Sequence, residues 1–374
     1  MSGPLPLLRH FRRLKDPRIN RRKLHSLENI LVIAVCAVIA GAQDFQQIAL
    51  FGRKRREWLE RFLDLPHGIP SHDTFERVFA RLDPLAFQTC FARWMNAWHA
   101  KLTAGKHFAV DGKAQRGSAS PSKGLACLNL VNVWACQANL CLGVVACEEH
   151  SNEITAIPRL LELLDLEGAL VTIDAAGCQK KIAEQVVEGG GDYLLVVKEN
   201  QETLYRQIEA CFKRAAQSDF EGLKESYYEK AERGHGRQEL RCVVLIEDPE
   251  GLSERANWPK LEVIGLCYSE RKEGNGDLTS HTRYFIGSKR AKARYYAKAF
   301  RGHWRVENNC HWQLDVTFGE DKSQVRQRQA AANLAVVRRL ALNLTKQEET
   351  QMSLAKKRFA AALDTDYLEE ILDV

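Results

Sequence analysis

Apolar and polar positions alternate at helical spacing through the first hundred residues. "SLENILVIAVCAVIAGA" is apolar on every side from Ile30 to Ala42, with Ser26 or Asn29 placed to cap its start and Gly41 to end it. That run is too short to span a bilayer and is expected as a buried helix. "DFQQIALFGRKRREWLERFLDL" places Phe45, Ile48, Ala49, Phe62 and Leu63 near helical spacing. "GIPSHDTFERVFARL" carries a start signal, Pro70 and then Asp73 with Glu76 three residues on, a capping box with Asp as the cap. "LAFQTCFARWMNAWHAKL" closes an all-α region expected over residues 1–100.

The pattern changes at Lys106. "KHFAVDGKAQRG" predicts a strand entering a turn at Gly112, and "ACLNLVNVWACQ" with "LCLGVVACEE" predicts a hairpin turning near Gln137, Ala138 and Asn139. "NEITAIPRLLELLDL" reads as a helix despite Pro158, "GALVTIDA" as a buried strand ending at Asp174, "CQKKIAEQVVEGG" as a helix stopped by glycines, and "DYLLVVKEN" as another buried strand. The order β-β-β-α-β-α-β over 101–200 predicts a mixed α/β layer structure. Over 201–290, one helix leads into "QELRCVVLIE", "KLEVIGLCYSERKE" and "TSHTRYFIGS", with a turn at "KEGNGDLTS", a β-rich insertion. Helical sequence returns over 291–345, and 346–374 is an acidic tail.

Charge adds a partner class. The net charge is +6, and the first sixty residues hold twelve Lys/Arg against five acids, clustered from Arg9 to Lys23 and at Arg53, Lys54, Arg55 and Arg56. A solvated face explains such runs as readily as an anionic partner does. Eleven dispersed cysteines without a C-x-x-C pair fit reduced thiols in the cytoplasm and exclude a cysteine zinc site.

Two acids close apolar strands, Asp111 after "HFAV" and Asp174 after "ALVTI". A buried carboxylate is costly unless paired or metal-bound, although either one alone reads equally as a turn or cap Asp. "RGHWRVENNCHWQLDVTFGED", Arg301–Asp321, holds two His-Trp pairs eight residues apart. His303, Glu307, His311 and Asp315 form a drifting stripe at a spacing of four, with Trp304 and Trp312 beside it, expected to wedge the helix onto the sheet. Zinc-protease helices set their histidines four apart, so a zinc site through His303, Glu307 and His311 is disfavoured. Asp111, Asp174 and Glu307 together would form a three-carboxylate cup for Mg2+, with Lys113, Arg116, Lys198 and Arg305 near enough to hold phosphates.

The ordered pieces "GIPSHDTFERVF", "AVDGKAQRGS", "SNEITAIPRLLELLDLEGALVTIDAAGCQ", "DYLLVVKENQ", "HGRQELR" and "HWRVENNCHWQLDVTFGED" resemble the H-repeat-associated transposases, a branch of the bacterial insertion-sequence DDE transposases. The resemblance runs from about Leu8 to about Leu344. It implies an α/β, RNase-H-like mixed sheet with flanking helices, interrupted by the insertion and preceded by a helical DNA-binding domain. It also implies Asp111, Asp174 and Glu307 as catalytic ligands of two Mg2+ or Mn2+ ions, acting on terminal inverted repeats and target DNA. A homodimer on DNA, a cytoplasmic location and no membrane contact follow as expectations. Related transposases carry Y-x2-R-x3-E-x6-K around the glutamate, where this chain has Phe300, His303, Glu307 and Leu314. Arg301, His303 or Arg305 is therefore expected to replace the missing arginine. An RNase-H-like nuclease without strand transfer, and a non-catalytic DNA-binding derivative, are the alternatives.

Overall fold

The computed structural model describes residues 10–19, 23–100, 105–148, 151–234, 237–249, 251–273 and 277–372. The expected turn at Gly274–Gly276, part of the basic run (Arg9, Arg21, Arg22), and the histidines His150 and His235 lie outside the described residues.

The helical N-terminal region contains α1 (Leu27–Ile39), α2 (Phe45–Lys54), α3 (His72–Phe79) and α4 (Pro84–His99). Ser26 caps α1, and Asn29 inside the helix instead sends its Nδ2 to the Asp64 carbonyl at 2.6 Å. The capping box expected at Asp73 is displaced: Ser71 caps α3 by accepting from the Thr74 N–H, and Asp73 lies in the first turn, where it suits the helix dipole. Because α1 is apolar all round, every face must be covered. The covering comes largely from the other end of the chain, α9 (Arg328–Gln347), and from α10 (Leu354–Leu363) and α11 (Thr365–Leu372) in the acidic tail.

Among the described residues, nine strands form one sheet: β1 (His107–Gln115), β2 (Leu128–Ala135), β3 (Leu140–Ala146), β4 (Leu170–Ile173), β5 (Asp192–Val197), β6 (Glu225–Gly234), β7 (Arg237–Glu247), β8 (Val263–Glu273) and β9 (Leu278–Gly287). Their order is β3-β2-β1-β4-β5-β9-β8-β7-β6. β2 is antiparallel to β1 and β3, while β4 is parallel to β1 and β5 parallel to β4, the RNase-H-like arrangement. Helices α5 (Glu153–Leu161) and α6 (Lys180–Glu188) make the crossovers on either side of β4. After α7 (Glu202–Gln217), β6 to β9 form an antiparallel meander whose last strand pairs with β5, so the insertion widens the core sheet. Sequence patterning missed β6, an edge strand with charged residues on both faces.

The turn expected at Gly112 is absent. β1 runs through it to Gln115, pairing Gly112 with Val131 and Lys113 with Leu130. The stripe helix α8 (Ala293–Val306) lies over β1 and β4. From Glu307 it continues in wider i→i+5 turns, with the Trp312 N–H bonded to the Glu307 carbonyl and the Phe318 N–H to that of Gln313. The wider winding re-aims the side chains. Trp304 and Trp312 are 50% and 51% exposed, which overturns their expected role as wedges; Phe300, Val306, Cys310 and Leu314 fill the inward face instead.

Candidate active site

Parallel pairing sets Val110 opposite Ile173. The next residue is an aspartate in each case, Asp111 within β1 and Asp174 just past the end of β4, on neighbouring backbone segments spaced roughly 4.8 Å apart. Asp174 does act as a cap, accepting from the Ala176 N–H at 3.1 Å through Oδ1. Asp111 Oδ1 accepts from the Gly112 N–H at 2.9 Å.

Glu307 reaches the same place from α8, and His311 sits between the acids. His311 Nδ1 lies 3.3 Å from Glu307 Oε2 and 3.6 Å from Asp111 Oδ2. The ring is buried, with Nε2 at 3.4 Å from Asn132 Nδ2. Asn132 Oδ1 accepts from Arg339 Nε at 2.9 Å, which turns the amide NH2 toward the histidine. Nε2 is then an acceptor, and the proton on Nδ1 faces the carboxylates. This hydrogen bond holds the Glu307 carboxyl below its usual range. Arg339 is itself fixed by Glu320, with Nη2 at 3.1 Å from Oε2. A buried polar chain thus runs from Glu320 through Arg339 and Asn132 to His311.

A fourth acid, Glu153, which the sequence reading did not select, opens α5. Its carboxylate lies against Gly112, in the cleft that Asp174 also lines. Burial, then Asp174 and Asp111, push its carboxyl up to about 7. Burial and the neighbouring acids likewise raise Asp111 to about 6, against the pull of His311. The signal available beforehand was faint: a Gly after Asp111 in a strand that needs no turn.

The expected cations divide into groups. Lys113 is buried, with its ammonium 2.5 Å from Asp315, 3.2 Å from Asp321 and 3.4 Å from Glu320, so it is consumed inside the fold. His303 turns under α8: its Nδ1 is 3.0 Å from Thr172 Oγ1, which also lies 3.1 Å from His107 Nε2. Burial pushes His303 down to about 4, so it is neutral and faces the sheet rather than a phosphate. Arg55 donates to the Ala362 carbonyl at 2.7 Å, holding the end of α10. Arg53, Lys54 and Arg56 are exposed, the last paired with Glu60. Arg116 is exposed near Asp321, and Lys198 is exposed at the acidic cleft. Arg301 and Arg305 belong to an exposed stripe with Arg294 and Lys298, which sequence reading had not selected. The spacing i, i+4, i+7, i+11 puts all four on one face of α8 leading to Glu307. A cleft between this helix and β6–β9 continues the stripe, with Arg283 stacked on Trp304 at 4.9 Å.

The donor set fits a hard divalent cation. Carboxylate oxygens of Asp111 and Glu307 lie within 4.8 Å of each other, with the His311 ring beside them as a hydrogen-bond donor, and oxygen donors are the chemistry of Mg2+ or Mn2+. His303 points away, so the histidine pair does not converge as a zinc site. Binding must displace the proton that Asp111, raised to about 6, carries at lower pH. Mn2+ affinity, measured calorimetrically, is expected to rise about tenfold per pH unit below pH ~6 and to level off above pH ~7. A flat profile across that window would contradict the placement of Asp111.

Comparison with known proteins matches residues 101–344 to the family described as "Transposase DDE domain" and residues 8–95 to "DDE_Tnp_1-associated". "Putative transposase YncI" of Escherichia coli O157:H7 is 39% identical over 98% of this chain and 94% of its own length. "H repeat-associated putative transposase YhhI" of Escherichia coli K12 is 34% identical over 98% of this chain and 97% of its own. "Inactive transposase YbfQ" of the same strain is 36% identical over 20% of this chain and 89% of its own.

Proposed function

The chain belongs to the DDE transposase family, and on that premise we propose that it cuts the ends of a DNA element and joins them to target DNA in a metal-dependent reaction. The observation that carries this is that Asp111, beside Asp174 on the sheet, lies within ligand-atom distance of Glu307 and His311, from a helix more than a hundred residues later. Asp111, Asp174 and Glu307 would hold two Mg2+ or Mn2+ ions, which when bound would supply activation of the attacking water or 3′-hydroxyl and charge stabilisation of the leaving oxygen at phosphorus.

The protein's own groups supply positioning. Asp111 and Asp174 hold the charge from the sheet, and Glu307 holds it from the helix. His311 donates to Glu307 and keeps its carboxylate turned inward. Arg294, Lys298, Arg301 and Arg305 guide a phosphate backbone along α8 toward the acids. Trp304, half exposed beside Arg283, offers a face on which a base can stack. Arg53, Lys54 and Arg56 provide a second basic surface. Among the described residues no helix is long and apolar enough to cross a membrane. Joining two ends calls for two copies of the chain on DNA.

The test is purified protein with end-containing DNA and Mg2+, scored for joined products as well as nicks. Joined products are expected, and nicks alone would reduce the activity to that of a nuclease. No metal-dependent cleavage, with binding confirmed, would overturn the enzyme reading.

A further inference from the structure

We propose that Glu153 is a fourth carboxylate of the acidic centre and, with Asp174, holds the second of two divalent cations. The inference rests on the metal-dependent reading above and adds a ligand to it.

The first support is the space beside β1. A Cβ at position 112 would lie 1.7 Å from Glu153 Oε1 and 2.2 Å from its Cδ. Gly112 is a strand residue without a left-handed φ, so neither a turn nor backbone conformation requires glycine there. What glycine does is leave room for this carboxylate next to Asp111.

The second support is that Glu153 has no other occupation. Asn152 is the cap of α5, accepting from the Ile154 N–H at 3.1 Å. Among the described residues the Glu153 carboxylate makes no hydrogen bond or ion pair. Lys113, nearby in sequence to Asp111, is already taken by Asp315, Glu320 and Asp321. Glu153 and Asp174 therefore face one cleft beside Asp111, and among the described residues neither carboxylate makes an ion pair. Like charges so placed repel one another unless a cation joins them. Glu153 arrives from α5 and Glu307 from α8, so Asp111 is left between them to serve both ions.

Mn2+ titration of the full-length protein without DNA tests this, by calorimetry with electron paramagnetic resonance for free ion. Wild type is expected to take up two Mn2+. Glu153→Gln should take up one, or hold the second at least about tenfold more weakly. Gly112→Ala should reproduce that loss, because its Cβ evicts the flexible end of Glu153, and circular dichroism should report both variants as folded. If Glu153→Gln binds two ions as wild type does, the proposal is overturned. If Glu307→Gln alone impairs uptake, Glu153 fails while the three-acid reading stands. If wild type takes up no Mn2+, both fall.

Discussion

Replacing Asp111 by asparagine is expected to lower metal-dependent cleavage of DNA ends by roughly a thousandfold or more, with DNA binding retained. The change is isosteric, and the amide oxygen can still accept from the Gly112 N–H. What disappears is the charge that makes the site attractive to a divalent cation. DNA affinity should hold or rise slightly, because a negative charge has left a surface facing phosphates. Unfolding would not explain the loss. A carboxyl whose folded value, about 6, exceeds its unfolded one costs stability at every pH above that value, and asparagine removes the cost. Metal-free Asp111→Asn should therefore melt at or above the wild-type temperature at pH ~8. Cleavage within a few-fold of wild type would show that Asp111 does not hold the metal.

The largest stability effect is expected at Glu320→Gln, about 3–5 kcal/mol by urea unfolding. Glu320 and Arg339 are both wholly buried. Burial alone would raise the Glu320 carboxyl, but Arg339 and Lys113 outweigh it and hold it down at about 2. Its stabilising contribution is therefore present above the ordinary carboxylate range and is lost as pH falls toward about 2. Gln at 320 strands Arg339, whose other partners are the Asn132 and Ala335 oxygens. Arg339→Met should cost less, because Glu320 keeps Lys113 at 3.4 Å. Equal losses in the two variants would contradict this asymmetry. Glu320→Gln should also loosen Asn132 and, through it, His311.

The alternation of strands and helices from Lys106 to Asn200 made the core topology legible, since each element is long enough for its period to be read. Asp174 and Glu307 were legible as a strand-end and a mid-stripe acid, whereas Asp111 sits inside β1, which runs on to Gln115. Other features depend on contacts between distant segments. Lys113 read as a phosphate ligand because nothing local shows that Asp315, Glu320 and Asp321 reach it across some two hundred residues. Glu153 was hidden for the same reason, since its role depends on the missing side chain at Gly112. The tail read only as acidic, yet Arg358 within it donates to the Val38 and Ile39 carbonyls at the end of α1, and to that of Thr317 at the end of the stripe helix. Trp304, still in ordinary helix, lies on the outer face beside Arg283; Trp312 was misplaced because ordinary helical winding was assumed beyond Glu307.

That winding also changes what a residue count means. Seven positions past Glu307 in an α-helix is nearly two full turns, which returns to the same side. Here the seventh position is Leu314, fully buried in the core. A motif spacing is a ruler, and the wider turns stretch the ruler between its marks. The leucine that stands where relatives keep a lysine is thus not a vacant DNA contact. Restoring lysine there would place an ammonium among apolar side chains, while Asn308 and Trp312 hold the outward positions.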